Sequence, residues 1–414
     1  MSFSTEDSTL YLCRGDNTPA LDTYDIWQVE VIPIVDLNSD DIVDADDMCV
    51  LVDNWNTENT LCDIAPAPFG DGFVDVQDLI VLSEYLFTDL RIFVDDDAPG
   101  DPGPGDPLTS DPLEDGSAEH PFDAIQETIN NAVSGETVIV LPGVYIGDGN
   151  RDIDFLSKEI TVRSTNPKDS HMVASTVIDC QGTQAEQHQG FLFNGSESAK
   201  SVLAGLTITN AYANNGGGIV CSSNSRPTIT NCILRNNKAI TRGGGFYNTG
   251  SPLFSNCIFS GNMAENGGAL YNVSNARIVN CTFTRNSTTT GGGIQNLGGK
   301  LTLTNCILWN NTPAEIRVGG TVSVTYSNIQ GGFTGEGNID ADPLFADADD
   351  GDYHLKSQAG RYDSITQIWV VDEVTSPCVD AGDPNMLVGD EPEPNGARVN
   401  MGAYGGTTEA SKSP

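Results

Sequence analysis

Along residues 201–317 the apolar positions recur with a fixed period. An apolar residue, a Cys three places on and a second apolar residue two places further return every 24 or 25 residues. The sets are Ile229, Cys232 and Leu234; Phe254, Cys257 and Phe259; Ile278, Cys281 and Phe283; and Leu303, Cys306 and Leu308. Asn231, Asn256, Asn280 and Asn305 stand directly before the cysteines. A glycine run follows (Gly243–Gly245, Gly267–Gly268, Gly291–Gly293), then Phe246, Leu270 or Ile294, then Asn248, Asn272 or Asn296. A weaker copy opens the series with Ile208, Asn210, Gly216–Gly218 and Ile219. Short β-branched or aromatic segments broken by Gly and Asn predict strands and turns, not helices. A fixed period of this length predicts a stacked repeat.

One such coil cannot bury its own apolar face, whereas stacked coils can. The sequence reads as mostly β: a right-handed parallel β-helix with three short strands per coil. Equivalent residues would lie about 4.8 Å apart along the stack. Ile229, Cys232, Leu234 and Phe246 head inward ladders. The Asn before each Cys is expected at a sharp bend, where it tolerates a left-handed backbone and its amide bonds the next coil's Asn. The pattern resembles the pectate-lyase-like right-handed β-helix proteins over roughly the last three-quarters of the chain. That resemblance implies the fold; the same solenoid carries lyases, hydrolases, adhesins and inert spacers.

The remaining apolar pattern divides the chain. Residues 1–35 are a lead-in, in which Tyr24–Ile32 alternates like a strand. Residues 36–90 hold two acidic loops, each followed by an apolar helical segment, Met48–Trp55 and Leu79–Leu86. Residues 91–120 give the strand Arg91–Val94 and a Pro/Gly/Asp-rich linker. The solenoid spans 121–339. It opens with Pro121–Val133, where Phe122, Ile125, Ile129 and Ala132 or Val133 share one helical face and would cap the first coil. Residues 340–414 form the closing end and cap. Asp347, Asp349, Asp350 and Asp352 match no loop spacing and read as a solvated acidic turn.

The first acidic loop places oxygen ligands at positions 1, 3, 5, 9 and 12: Asp36, Asn38, Asp40, Asp44 and Asp47, with the Ile42 carbonyl at position 7. Ca²⁺ takes six to eight oxygens, and this spacing wraps one ion. The second loop supplies Asp71, Phe73 (through its carbonyl), Asp75 and Asp78, with Gly72 at the bend. Ala67 and Phe69 stand where its first ligands belong, and Asp63 substitutes from farther back. The loops resemble the calcium repeats of type I dockerins, which end in Asp where an EF-hand has Glu; the departure is Asp41, where that family has Gly. The resemblance implies Ca²⁺ as cofactor and a cohesin as partner, while a structural calcium clamp fits as well. Cys49 and Cys62 flank the middle of the module and are placed to close it as a disulfide.

The formal net charge is -39, which disfavours nucleic acid and anionic membranes. The charge is uneven: from residue 180 to 339 there is no Asp, and nine Lys and Arg outnumber five Glu. No stretch has the apolar length of a membrane span. The acidic, cysteine-containing front points to an extracellular or cell-surface setting. The repeat cysteines read as small buried hydrophobes.

The coils lack the paired carboxylates that sugar hydrolysis needs. Tyr247, Tyr271 and Gln295 alternate with inward Phe246, Leu270 and Ile294 and so face outward, with Arg242 and Glu265 in adjoining loops. This set is a candidate glycan platform, and the same tyrosines also serve as a ladder bracing neighbouring coils. The expectation is a calcium-binding extracellular β-helix protein with a non-catalytic role, binding a polysaccharide or cell-surface glycan or forming part of a surface layer or filament by association with itself or another extracellular protein. The alternatives are a lyase acting on an acidic polysaccharide and a cohesin-binding component of a degrading assembly.

Overall fold

The computed structural model describes residues 2–4, 9–11, 35–38, 40–59, 61–65, 71–86, 88–96 and 113–414. The predicted strand Tyr24–Ile32, Ala67, Phe69 and most of the Pro/Gly/Asp-rich linker lie outside them. The chain forms two compact units, Met1–Arg91 and Ile92–Pro414.

In the first unit, Ser2–Ser4 pairs antiparallel with Thr9–Tyr11. Helices α1 (Ala45–Asp53) and α2 (Val76–Tyr85) follow the two acidic loops. Both open on an Asp cap with a reciprocal Asp three residues on, Asp44 with Asp47 and Asp75 with Asp78. Carboxylates there satisfy amides that a helix start leaves open. Val35, Val43, Leu51, Cys62, Ile64, Val74 and Leu82 form the core. Cys62 is buried in it, Cys49 is exposed on α1, and both are free thiols, so the expected bridge between them is not made.

The second unit is a parallel β-helix. Sheet I has nine strands, from Arg91–Val94 through Thr228–Thr230 and Leu253–Ser255 to Thr321–Thr325. Sheet II has eight, from Gly143–Tyr145 through Ile233–Arg235 to Asn328–Ile329, and sheet IV has seven, from Ile153–Asp154 through Phe246–Asn248 to Ile316–Val318. Three strands per coil were expected. Four coils carry another, and these pair as sheet III: Tyr212–Asn215, Lys238–Arg242, Met263–Ala264 and Ser287–Thr288.

The apolar ladders point inward as the pattern required. Ile229, Cys232, Leu234, Phe246 and their repeats are all buried in one continuous core. Phe259 and Phe283 stack with ring centroids 4.5 Å apart. The nine described cysteines are free, and Cys232, Cys257, Cys281 and Cys306 are fully buried. Burial pushes the Cys306 thiol up to about 12. Helix α3 (Ile125–Asn131) covers the first coil with Phe122, Ile125, Ile129 and Ala132; Val133 is turned out. Lys158 Nζ donates to the Ile129, Asn130 and Ala132 carbonyls at 2.6–2.9 Å, closing that helix's C-terminus.

The Asn before each Cys does adopt the left-handed backbone, at φ 53° for Asn231 and 56° for Asn305. Their amides do not bond the next coil's Asn. Those of Asn256 and Asn280 reach the Gly405 carbonyl at 2.8 Å. The coil-to-coil amide bonds run in two other ladders. Asn248 donates to Asn272 and Asn272 to Asn296, each at 2.6 Å. Asn262 and Asn286 donate to the next Asn at 3.0 and 2.8 Å, and this second ladder, which starts at Asn237, reaches Asn311. Each buried amide keeps its full set of partners only while the stack is intact, so the ladders specify register as well as stability.

The tail is not only an end cap. Residues 376–413 run back along the outside of sheet II, where Ile307 packs with Met401 and Cys378, and Ile258 packs with Ala403. Where the tail covers it, sheet II buries both faces, which suits a continuously apolar strand such as Ile307–Trp309.

Candidate functional site

The glycine run delivers the chain from sheet III to sheet IV. Gly243 has φ 61°, and a Cβ there would lie 2.2 Å from the Phe246 carbonyl oxygen. At Gly244 a Cβ would meet the next coil's backbone at 2.4 Å. Only glycine allows these coils to stack so closely. Sheets III and IV thus present adjacent outer surfaces.

On sheet IV the register aligns Val220, Tyr247, Tyr271, Gln295 and Arg317 in one outward column. The Tyr247 and Tyr271 rings stack at 5.9 Å and 25°. The Arg242 guanidinium lies 5.5 Å from the Tyr271 ring centroid. The column is less open than expected: Tyr247 is half-buried, but Tyr271 and Gln295 are only 5% and 6% exposed. Alternation sets the side a residue faces, and here Arg242 lies over Tyr271. Glu265 is exposed, and its backbone carbonyl anchors Thr290. Arg242, Tyr247 and Tyr271 therefore come together, with Gln295 beneath the surface.

At the other end of the Lys238–Arg242 strand, Lys238 Nζ sits 5.1 Å from the Tyr212 ring centroid. It borders an open groove of about 420 Å³ lined by Asp179, Thr183, Asn210, Tyr212, Asn236 and Lys238. Asn210 Nδ2 donates to Asp179 Oδ2 at 3.1 Å. His188 exchanges two backbone hydrogen bonds with Tyr212 at 2.9 Å, and directly opposed residues of such a pair share a face. His188 Nδ1 lies 2.7 Å from Asp152 Oδ2, while Asp152 Oδ1 accepts from the Gln189 amide at 2.7 Å. The Asp152–His188 pair escapes sequence reading because 36 residues separate the partners and no repeat marks them. Lys238 and Arg242 are four positions apart, about 13 Å of strand. Groove and tyrosine ledge are two ends of one surface.

The acidic loops of the first unit are congruent. Asp36 Oδ1 and Oδ2 accept from the Asp40 and Asp41 amides at 3.2 and 2.9 Å. Asp63 does the same for Asp71 and Gly72 at 3.0 and 2.8 Å. Asp63 thus occupies the place of Asp36, across the insertion. Asp47 Oδ1 accepts from Leu37 and Asn38, and Asp78 Oδ1 from Ile64 and Ala65, at 2.6–3.1 Å. Asp41 takes the bend with φ 67°, as Gly72 does with φ 101°. Asn38 and Asp40 are exposed, Asp44 and Asp75 cap the helices, and Ile42 and Phe73 lie at corresponding places. The donors are all hard oxygens in an order that fits Ca²⁺. Among the described residues no three acidic, His or Cys side chains already converge as a metal-ion group.

A family model described as a right handed beta helix region matches residues 164–330. The solenoid is a right-handed parallel β-helix. Among solved structures, the chain is similar to the pectate lyase Pel9A at 16% identity, covering 75% of this chain and 96% of that one, with a TM-score of 0.41. It is similar to a rhamnogalacturonan lyase at 13% identity (57% and 67% covered, TM-score 0.32) and to the pectin methylesterase from Aspergillus niger at 13% (57% and 87% covered, TM-score 0.31). No curated protein matches the chain. Among the described residues no helix is long and apolar enough to cross a membrane.

Proposed function

We propose that this is an extracellular polysaccharide-binding protein. Its β-helix holds an extended acidic glycan across the groove and the tyrosine ledge, and its front unit is a dockerin-like module stabilised by Ca²⁺. The observation that carries the glycan reading is the placing of Lys238 and Arg242 over tyrosine rings at the two ends of one exposed strand, in a protein of net charge -39. Sugar C–H faces pack on aromatic rings, and the two cations complement uronate or sulfate groups. Asp36, Asn38, Asp40, the Ile42 carbonyl, Asp44 and Asp47 would hold one Ca²⁺. Asp63, Asp71, the Phe73 carbonyl, Asp75 and Asp78 would hold a second.

The role is binding without cleavage. One observation favours a second reading, polysaccharide lyase: the Asp152–His188 pair holds an imidazole on the same side of the backbone bridge as Tyr212. With Nδ1–H donated to Asp152, Nε2 is left as a base, the arrangement proton abstraction requires. The test is an acidic-polysaccharide panel with wild type, the Lys238→Ala/Tyr212→Ala variant and His188→Ala. Retention by wild type and loss in the double variant support binding. Unsaturated-product absorbance that disappears in His188→Ala would replace binding with lysis. Retention of a cohesin in a Ca²⁺-dependent manner tests the front module separately.

A further inference from the structure

Besides the Asn256 and Asn280 amides on the Gly405 carbonyl, one buried imidazole holds the strap 376–413 near its end. His354, on the strand Asp352–Leu355, is 1% exposed. Its Nδ1 lies 2.6 Å from Asp352 Oδ1 and its Nε2 3.2 Å from Glu409 Oε2 of the strap. The ring lies flat against Tyr404, also of the strap, with centroids 3.6 Å apart at 13°. Glu409 Oε1 accepts from the Ser170 amide of helix α4 (Ser170–Ser175) at 3.0 Å, so one carboxylate ties the strap both to that helix and to the Asp352–Leu355 strand. Beyond the latch, the strap end is held by Ser411 Oγ to the Leu355 carbonyl and by Ser357 Oγ to the Lys412 carbonyl, each at 2.5 Å.

We propose that His354 is a pH-operated latch: protonated, it holds the strap against the outer face of sheet II; neutral, it lets the end of the strap go. A neutral imidazole has one N–H and can serve only one of two carboxylates. Asp352 keeps other partners, the His354 amide at 3.0 Å and Arg361 Nη1 at 3.5 Å. Arg361 is shared with Asp372. The shorter contact is also the one to Asp352. In the latch the neutral ring keeps its proton on Nδ1, at the shorter contact, and Glu409 Oε2 is left buried without its donor. The other titratable groups nearby do not replace it: Tyr362 packs on His354 at 6.1 Å, and the Tyr404 ring lies flat on the imidazole with its hydroxyl held protonated by burial. Burial opposes protonation of His354, but the hydrogen bonds to Asp352 and Glu409 outweigh it and hold the proton more firmly than usual.

A second strap group works in the same direction. Glu391 is 6% exposed; its Oε1 accepts from the Asn400 and Gly406 amides at 2.8 Å, and its Oε2 has no partner among the described residues. Burial pushes its carboxyl up to about 7, aided by Asp380. Raising the pH therefore charges Glu391 as it discharges His354. Release would uncover Ile233 and Ile258, which pack under Tyr404 and Ala403. The exposed Lys168–Asp390 pair, at 2.9 Å, adds little restraint.

The test is hydrogen exchange by mass spectrometry on the full chain at pH 5.5 and 8.5, corrected for intrinsic rates. Protection of residues 400–413 should fall at pH 8.5, with strands 254–259 unchanged; charging Glu391, raised from 4.5 to about 7, alone accounts for about tenfold or more. His354→Gln and Glu409→Gln should each lower protection at pH 5.5 and flatten its pH dependence. Equal protection of the wild-type strap at both pH values, or an unaltered pH profile in Glu409→Gln, would overturn the latch.

Discussion

Glu315 closes the buried ladder of Asn237, Asn262, Asn286 and Asn311, and it offers a sharp test of how that ladder is held. Its Oε1 accepts from the Asn311 amide at 3.1 Å and its Oε2 from Asn311 Nδ2. It is 7% exposed, and burial pushes its carboxyl up to about 7 from an ordinary 4.5, against the two Asn311 bonds that favour the charge. A carboxyl raised on folding stabilises fully below its unfolded value, and that stability is lost as pH rises to about 7. The loss is roughly 3 kcal/mol at 1.36 kcal/mol per pKa step. Glu315→Gln removes the charge but leaves one of the two donors without an oxygen, at a cost of about 1 kcal/mol. The variant should therefore be weaker than wild type by about 1 kcal/mol at pH 4 and stronger by about 2 kcal/mol at pH 8. Urea unfolding of the solenoid transition, followed by circular dichroism at both pH values, reads this as a change of sign in the midpoint difference. The same difference at both pH values would mean that Glu315 does not titrate on folding in this way.

Other consequences are as direct. Asn262→Ala leaves the Asn237 amide and the Leu234 carbonyl without their side-chain partner and should lower solenoid stability by about 2–4 kcal/mol in the same urea assay. Cys281→Ala should cost on the order of 1 kcal/mol or more, and the thiols of Cys232, Cys257, Cys281 and Cys306 should resist labelling in the native protein. Chelation of Ca²⁺ should shift the calorimetric transition of the front unit alone, because the two units have separate cores; a single unchanged transition would count against the metal.

Much of this architecture is legible in the sequence because solenoid packing is periodic. Ile229, Cys232 and Leu234 repeat in type and spacing, so their inward course follows from the pattern alone. The hydrogen-bonding ladders are harder. Asn231 and Asn237 recur with the same period and the same chemistry, and only the backbone decides which amide turns inward. Asn231, at φ 53°, turns at the bend, and Asn237 is fully buried. Sheet III hides because its leading positions read Tyr212, Lys238, Met263 and Ser287, with no shared residue type. The strap and the Asp152–His188 pair join residues outside the repeat, where period carries no information. For the platform, alternation gives the outward side of Tyr271 but not the cover supplied by Arg242 from a neighbouring strand. The acidic loops are legible by spacing, and the place of Asp63 emerges from its hydrogen bonds to Asp71 and Gly72.

We propose that one surface, from the groove at Tyr212 and Lys238 to the ledge at Tyr247 and Arg242, holds an acidic glycan. Its most direct test is a glycan array of acidic and neutral polysaccharides probed with wild type and with the Lys238→Ala/Tyr247→Ala variant. Wild type should be retained on acidic glycans, less so as salt screens the exposed charges, and the variant at least tenfold more weakly. No glycan retained by wild type, or equal retention by both proteins, would contradict it.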